Sequence, residues 1–258
     1  TPVAYLVTGG GSYCEGGTGV TLGQSGSATG VSYQLVSGGS PVGTAMAGTG
    51  SPLDFGVILA PGTYTVQATD TTLGCVGNMT GSATVAINSL PVAETVTGGG
   101  SFCAGGGGSH VGLANSVSGV NYQLYNGSLM VGTPVSGSTG ALLDFGLETT
   151  GGTYTATATD ATTGCLNLMA GSADITVLPT PVPYAVTIEN SGNYCAGDSG
   201  LHIMLVNSET GVNYQMFRGT TVVGGTVAGI GSTLTMGLDT IAGTSTVVAN
   251  NPSSGCTS

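Results

Sequence analysis

Six cysteines are the residues whose type and spacing offer chemistry first. Cys14 and Cys75, Cys103 and Cys165, and Cys195 and Cys256 lie 61, 62 and 61 positions apart. Three pairs at one spacing read most simply as three intradomain disulfides, Cys14–Cys75, Cys103–Cys165 and Cys195–Cys256. Each cysteine has a glycine within two residues and stands just before or just after a strand-like run, so the bridge is expected at one end of a domain. A loop of that size, once closed, stabilises by roughly 4 kcal/mol in the chain-entropy treatment. Metal binding is a poor alternative, because no Cys-x-x-Cys occurs and each pair comes with at most one His. Disulfides require an oxidising compartment, so the chain is expected in a periplasm, at a cell surface or in the medium, and is read as extracellular or surface-bound.

The other reactive side chains are scattered. His110 and His202 each follow the first cysteine of their pair by seven residues, where Thr21 stands in the first pair. A catalytic His needs an orienting carboxylate and a nucleophile in reach. Nothing in the sequence supplies them, so both histidines read as strand residues and the chain as no enzyme. Asp54 and Asp144 recur in register, as do Asp70 and Asp160. Recurrence of this kind fits a turn carboxylate that accepts from its own backbone. Calcium is the one cofactor with any candidates, namely Asp70, Asp160 and Glu94, although no Asp-x-Asp-x-Asp run is present. The runs Gly98–Gly100 and Gly105–Gly108 lack the lysine and following helix of a phosphate loop, and read as turns. Asn78 and Asn126 begin Asn-x-Ser/Thr tripeptides and are candidate glycosylation sites.

These residues sit on a repeat of about 90 residues, present three times. Tyr13-Cys14, Phe102-Cys103 and Tyr194-Cys195 open the units. Gly30-Val31-Ser32-Tyr33-Gln34 returns as Gly119-Val120-Asn121-Tyr122-Gln123 and Gly211-Val212-Asn213-Tyr214-Gln215. Asp54-Phe55-Gly56 and Gly62-Thr63-Tyr64 return in the second unit as Asp144-Phe145-Gly146 and Gly152-Thr153-Tyr154. They are degenerate in the third. Proline-bearing connectors at Ser89-Leu90-Pro91 and around Pro179–Pro183 divide the chain into 1–90, 91–180 and 181–258. Alternation with period two dominates: Val31, Tyr33 and Leu35 share one face, and Tyr64, Val66 and Ala68 another. About seven short strands per unit, separated by Gly-rich turns, predict an all-β chain. It is read as three tandem immunoglobulin-like antiparallel β-sandwich domains, each with one intradomain disulfide. Tyr64 and Tyr154 stand where such folds place a tyrosine that bonds back to the preceding corner; Ser245 takes that place in the third unit. The third unit also stops two residues after Cys256, before the last strand that the first two units carry at 83–87 and 173–177. Its sandwich is therefore expected to lack that strand, which a continuation of the chain or a neighbouring copy would supply.

Composition narrows the partners. One Lys or Arg against twelve Asp and Glu gives a net charge of −11. That excludes nucleic acid, since a single cationic side chain cannot neutralise a run of phosphates. No apolar run is long enough to span a bilayer.

The pattern Tyr13-Cys14-Glu15-Gly16, then Val31-Ser32-Tyr33-Gln34-Leu35, Asp54-Phe55-Gly56 and Gly62-Thr63-Tyr64-Thr65-Val66 resembles repeats of giant secreted surface adhesins of Bacteroidota. These include the gliding-motility class exported by the type IX system. Asp239-Thr240-Ile241 likewise resembles the short O-glycosylation signal of that group, with Thr240 as the acceptor. The resemblance implies a non-catalytic stalk segment of a long adhesin or extracellular fibre. Its partners would be further repeats, neighbouring copies, surface polysaccharide or another surface protein. Two alternatives stand beside it: a filament subunit completed by strand donation, and a carbohydrate-binding module, which the absence of Trp disfavours.

Overall fold

The computed structural model describes residues 1–258 apart from Ala196 and Asp198, with the backbone alone at Asn190. It is all-β, as expected. In the first unit, one sheet runs β1 (Val7–Gly9), β3 (Val20–Gln24), β6 (Leu53–Ile58). The facing sheet runs β2 (Gly11–Cys14), β9 (Ala83–Asn88), β7 (Gly62–Asp70), β4 (Val31–Ser37), β5 (Ser40–Ala47), with β8 (Val76–Asn78) beside β7. The second unit repeats this order. Its small sheet is β10 (Val96–Gly98), β12 (Ser109–Leu113), β15 (Leu143–Glu148). Its large sheet is β11 (Gly100–Cys103), β18 (Ala173–Leu178), β16 (Gly152–Asp160), β13 (Val120–Asn126), β14 (Leu129–Ser136), with β17 (Leu166–Leu168) beside β16. Two sheets facing each other across one core form the immunoglobulin-like sandwich.

The first edge strand changes sheets halfway. β1 pairs with β3 in one sheet, and β2 pairs in parallel with β9 in the other. The Gly9-Gly10-Gly11 run makes the crossing. Gly9 has φ +87°, and a Cβ there would lie 2.2 Å from the Thr21 carbonyl oxygen. Gly98 repeats this at φ +95° and 2.1 Å from the His110 carbonyl oxygen. Only glycine tolerates both the conformation and the approach. These glycines read from the sequence as turns; they are the switch between sheets.

The cores follow the period-two faces. Leu22, Tyr33, Leu35, Tyr64 and Val66 are buried in the first unit, and Val111, Leu113, Tyr122, Leu124 and Tyr154 in the second. The third unit buries Ile203, Leu205, Tyr214, Met216 and Met236. Its small sheet is β19 (Val186–Ile188), β20 (Leu201–Leu205), β23 (Leu234–Asp239), and its other sheet is β22 (Thr221–Ala228), β21 (Asn213–Arg218), β24 (Ser245–Asn250). A 3-10 turn at Glu189–Gly192 stands where the first two units have their glycine crossing. No strand equivalent to β9 or β18 covers β24 among the described residues.

The recurring motifs have local reasons. The Tyr33, Tyr122 and Tyr214 hydroxyls accept the backbone N–H of Ala28, Val117 and Glu209 at 2.8, 3.0 and 2.8 Å. Between β4 and β5 the register slips after Tyr33, and the same slip follows Tyr122 and Tyr214. Gln34, Gln123 and Gln215 fill the gap. Each donates from Nε2 to the carbonyl across the slip, of Val42, Val131 and Val223, at 2.8, 2.8 and 3.2 Å. The Tyr-Gln pair is thus a core anchor followed by a bulge plug.

Candidate functional site: the covalent joints between units

Strand direction fixes where each cysteine stands. β2 runs parallel to β9, with Cys14 level with Asn88. Cys14 therefore lies at the pole where the chain leaves the unit. β7 runs the other way, with Gly62 level with Val85. It carries the chain away from that pole to Asp70, and Cys75 follows the next turn. Eleven residue steps of strand separate the two levels, about 35 Å along the strands. A disulfide needs Cα atoms within about 7 Å.

The intradomain pairing expected from the spacing is therefore overturned. Cys14 bonds Cys165 and Cys103 bonds Cys256, each with Cα atoms 5.5 Å apart. The first cysteine of one unit is tied to the second cysteine of the next. Equal spacing cannot distinguish the two schemes, because in a repeat every shifted pairing is also equally spaced. The polarity of the strands decides. Cys165 and Cys256 are fully buried at the joints.

Both partners are presented by preformed turns. On the leaving side, the Cys14 carbonyl accepts the Gly17 N–H at 2.8 Å, and the Cys103 carbonyl accepts that of Gly106 at 2.8 Å. On the entering side, Asp160 organises the turn 160–165. Its Oδ1 accepts the backbone N–H of Thr162 and Thr163 at 2.9 and 2.8 Å and the Thr163 hydroxyl at 3.0 Å. The Asp160 N–H donates to the Cys165 carbonyl at 2.9 Å. Asp70 builds the same turn with Thr72 and Leu73, and its N–H reaches the Cys75 carbonyl at 2.9 Å. Asn251 does so in the third unit with Ser253 and Cys256. The Asp70 carboxyl is held below its ordinary range by the N–H groups of Leu73 and Thr72, and that of Asp160 by those of Thr163 and Thr162.

The connectors pack at the same joints. Pro91 and Pro181 are buried. The Pro91 carbonyl accepts from Asn167 Nδ2 at 2.8 Å.

The other candidate residues are not gathered into a centre. Asp54 and Asp144 each accept the N–H of the glycine two residues on, at 2.8 and 2.9 Å. Glu94 Oε1 accepts from Asn115 at 3.2 Å. Among the described residues no three His, Cys, Asp or Glu side chains converge as a cation site would require. His110 Nδ1 lies 2.8 Å from Asp144 Oδ2 on an open face, both side chains more than half exposed. Tyr64 and Tyr154 hydroxyls donate to the carbonyls of Ala60 and Thr150, four residues upstream, at 2.7 Å each. In the third unit Ser245 replaces that tyrosine and donates to Asp239, which also pairs with Arg218. Asn78 is exposed on β8. The Asn126 amide nitrogen donates to the Gly151 carbonyl at 3.3 Å, and Thr240 is exposed just past β23. Sequence reasoning missed the tyrosine anchors, the glutamine plugs and the pairing across units. Only the recurrence of Tyr-Gln signalled the first two.

No protein-family model matches the chain, and no curated protein matches it. Solved structures do. Fibronectin(III)-like modules of Clostridium thermocellum CbhA match at 11% identity and TM-score 0.36, over 67% of this chain and 95% of theirs. Titin domains A168–A170 match at 11% and 0.32, over 98% and 90%. Sidekick-1 immunoglobulin domains 1–5 match at 13% and 0.31, over 99% and 56%. The fold assignment rests on the strand order itself.

Proposed function

We propose that this chain is a non-catalytic, cofactor-free stalk segment of a surface adhesin or extracellular fibre, in which sandwich units are locked end to end. The pairing of Cys14 with Cys165 and of Cys103 with Cys256 carries this reading. A bond within a unit would stabilise that unit alone, whereas a bond across a joint fixes the angle between units and transmits tension past the connector. Each closes a span of about 150 residues, worth about 5 kcal/mol in the chain-entropy treatment. Such bonds persist outside the cell and not in a reducing cytosol. No helix among the described residues is long and apolar enough to cross a membrane. Small-angle scattering with and without a phosphine reductant tests the reading. The oxidised chain is expected to be elongated and stiff, and the reduced chain to flex at 89–91 and 179–183 with its β-sheet circular dichroism intact. A compact oxidised particle, or no change on reduction, counts against it.

One observation favours strand donation as a second reading. Along the open side of the third unit a cleft of about 440 Å³ is lined by Val186, Ile188, Tyr194, Ile203 and Ile241. In the first two units Ala83-Thr84-Val85 and Ala173-Asp174-Ile175 pair with the strands equivalent to β24. A synthetic peptide spanning 171–178 is expected to raise the melting temperature of the third unit, and a peptide with Ile175→Asp is not.

A further inference from the structure

We propose that Cys75 is the receiving site of one more inter-unit disulfide, whose partner is the edge-strand cysteine of another unit of this repeat type. The proposal rests on the stapled-stalk reading and extends it to a residue that the two joints do not use.

Cys75 is equivalent to Cys165 and Cys256, and both of those are bonded to the preceding unit. Its turn already has the bonded geometry. In all three units the N–H of Asp70, Asp160 or Asn251 reaches the cysteine carbonyl at 2.9 Å, and the glycine before the cysteine donates back to that same residue at 2.8–2.9 Å. These glycines share φ values of 70°, 72° and 73°. The turn at Cys75 is thus formed without the bond, ready to receive a sulfur. What differs is cover. Cys165 and Cys256 are fully buried, whereas Cys75 is half-buried and carries a thiol. Pro91 and Pro181 are buried in their joints, whereas the equivalent Pro2 is partly exposed against Gly77. A missing neighbour at this pole accounts for both differences. Cys14, in the same unit, cannot serve, since it stands at the opposite pole and is bonded to Cys165.

The chemistry is thiol–disulfide exchange with a small disulfide oxidant. The Cys75 thiolate attacks the oxidant, forms a mixed disulfide and expels one thiolate. The incoming cysteine thiolate then attacks the Cys75 sulfur and expels the second. Two protein thiols are oxidised, the oxidant is reduced to two thiols, and the two protons lost from the protein end on them or in solvent.

The test is a non-reducing peptide map of the protein isolated under acid quench with alkylation of free thiols. Cys75 is expected in a disulfide-linked peptide whose partner cysteine follows Tyr or Phe. A partner peptide from outside these 258 residues identifies a further unit, and one from within them other than that of Cys14 identifies a second copy. Alkylated Cys75 beside intact Cys14–Cys165 and Cys103–Cys256 overturns this inference and leaves the stalk reading standing. Cys14–Cys75 overturns both. Cys75→Ser is expected to abolish the extra linkage and leave the unfolding of the three units unchanged; a large loss of stability would instead assign Cys75 to the fold.

Discussion

Tyr122 is fully buried, yet its hydroxyl has a job, because it accepts the Val117 N–H at 3.0 Å. Tyr122→Phe keeps the ring and removes the acceptor. The expected cost is about 1–3 kcal/mol in denaturant unfolding of the second unit. Tyr125→Phe, on the half-buried side of the same strand, is expected to cost little. At this scale the sequence was partly legible. The alternation of Val120, Tyr122 and Leu124 announced the buried face. The hydroxyl's partner was hidden because it depends on how the chain before β13 folds back. The corner role of Tyr64 and Tyr154 could be read because it lies within four residues. The Gln123 plug could not, since its partner Val131 belongs to a slipped register that period-two reasoning does not contain.

At the scale of elements, the crossing glycines and the cysteine turns decide the architecture. Gly98→Ala would push a Cβ into the His110 carbonyl in a left-handed conformation. More than about 2 kcal/mol of destabilisation is expected, measured against Gly105→Ala, where a Cβ meets nothing. The turns give a pH prediction with an internal control. The Asp160 carboxyl is depressed in the fold, chiefly by the Thr163 and Thr162 N–H groups. The folded turn therefore binds its proton less readily than the unfolded one. Its stabilisation is present above the ordinary carboxylate value of 3.8 and is lost as pH falls through the lower folded value. Asn251 builds the matching turn at Cys256 and cannot titrate. Below about pH 4, phosphine reduction of Cys14–Cys165 is expected to speed up relative to Cys103–Cys256, read by mass spectrometry. An unchanged ratio of the two rates would refute it. The cysteine pairing is the element-scale feature that the sequence conceals. Spacing located the six sulfurs, but the parallel pairing of β2 with β9 sends a unit's two cysteines to opposite poles, and no local pattern reports that.

For the whole molecule, the two bonds shorten the covalent route between the termini. It runs through residues 1–14, crosses to 165, returns through the second unit to 103, and crosses to 256. About 80 residues can be drawn out, roughly 280 Å, against about 900 Å for the open chain. Single-molecule pulling from the two ends is expected to show the shorter limit in oxidising buffer and the longer one after reduction. Full extension of the oxidised chain would exclude the interlocked pairing.

The spans 14–165 and 103–256 also overlap. A protease that severs any one peptide bond between residues 14 and 256 therefore releases nothing. Each connector is bridged by one sulfur pair, and the stretch 103–165 by both. A chain tied this way stays in one piece after a single nick, so its integrity is set by reductants before peptidases.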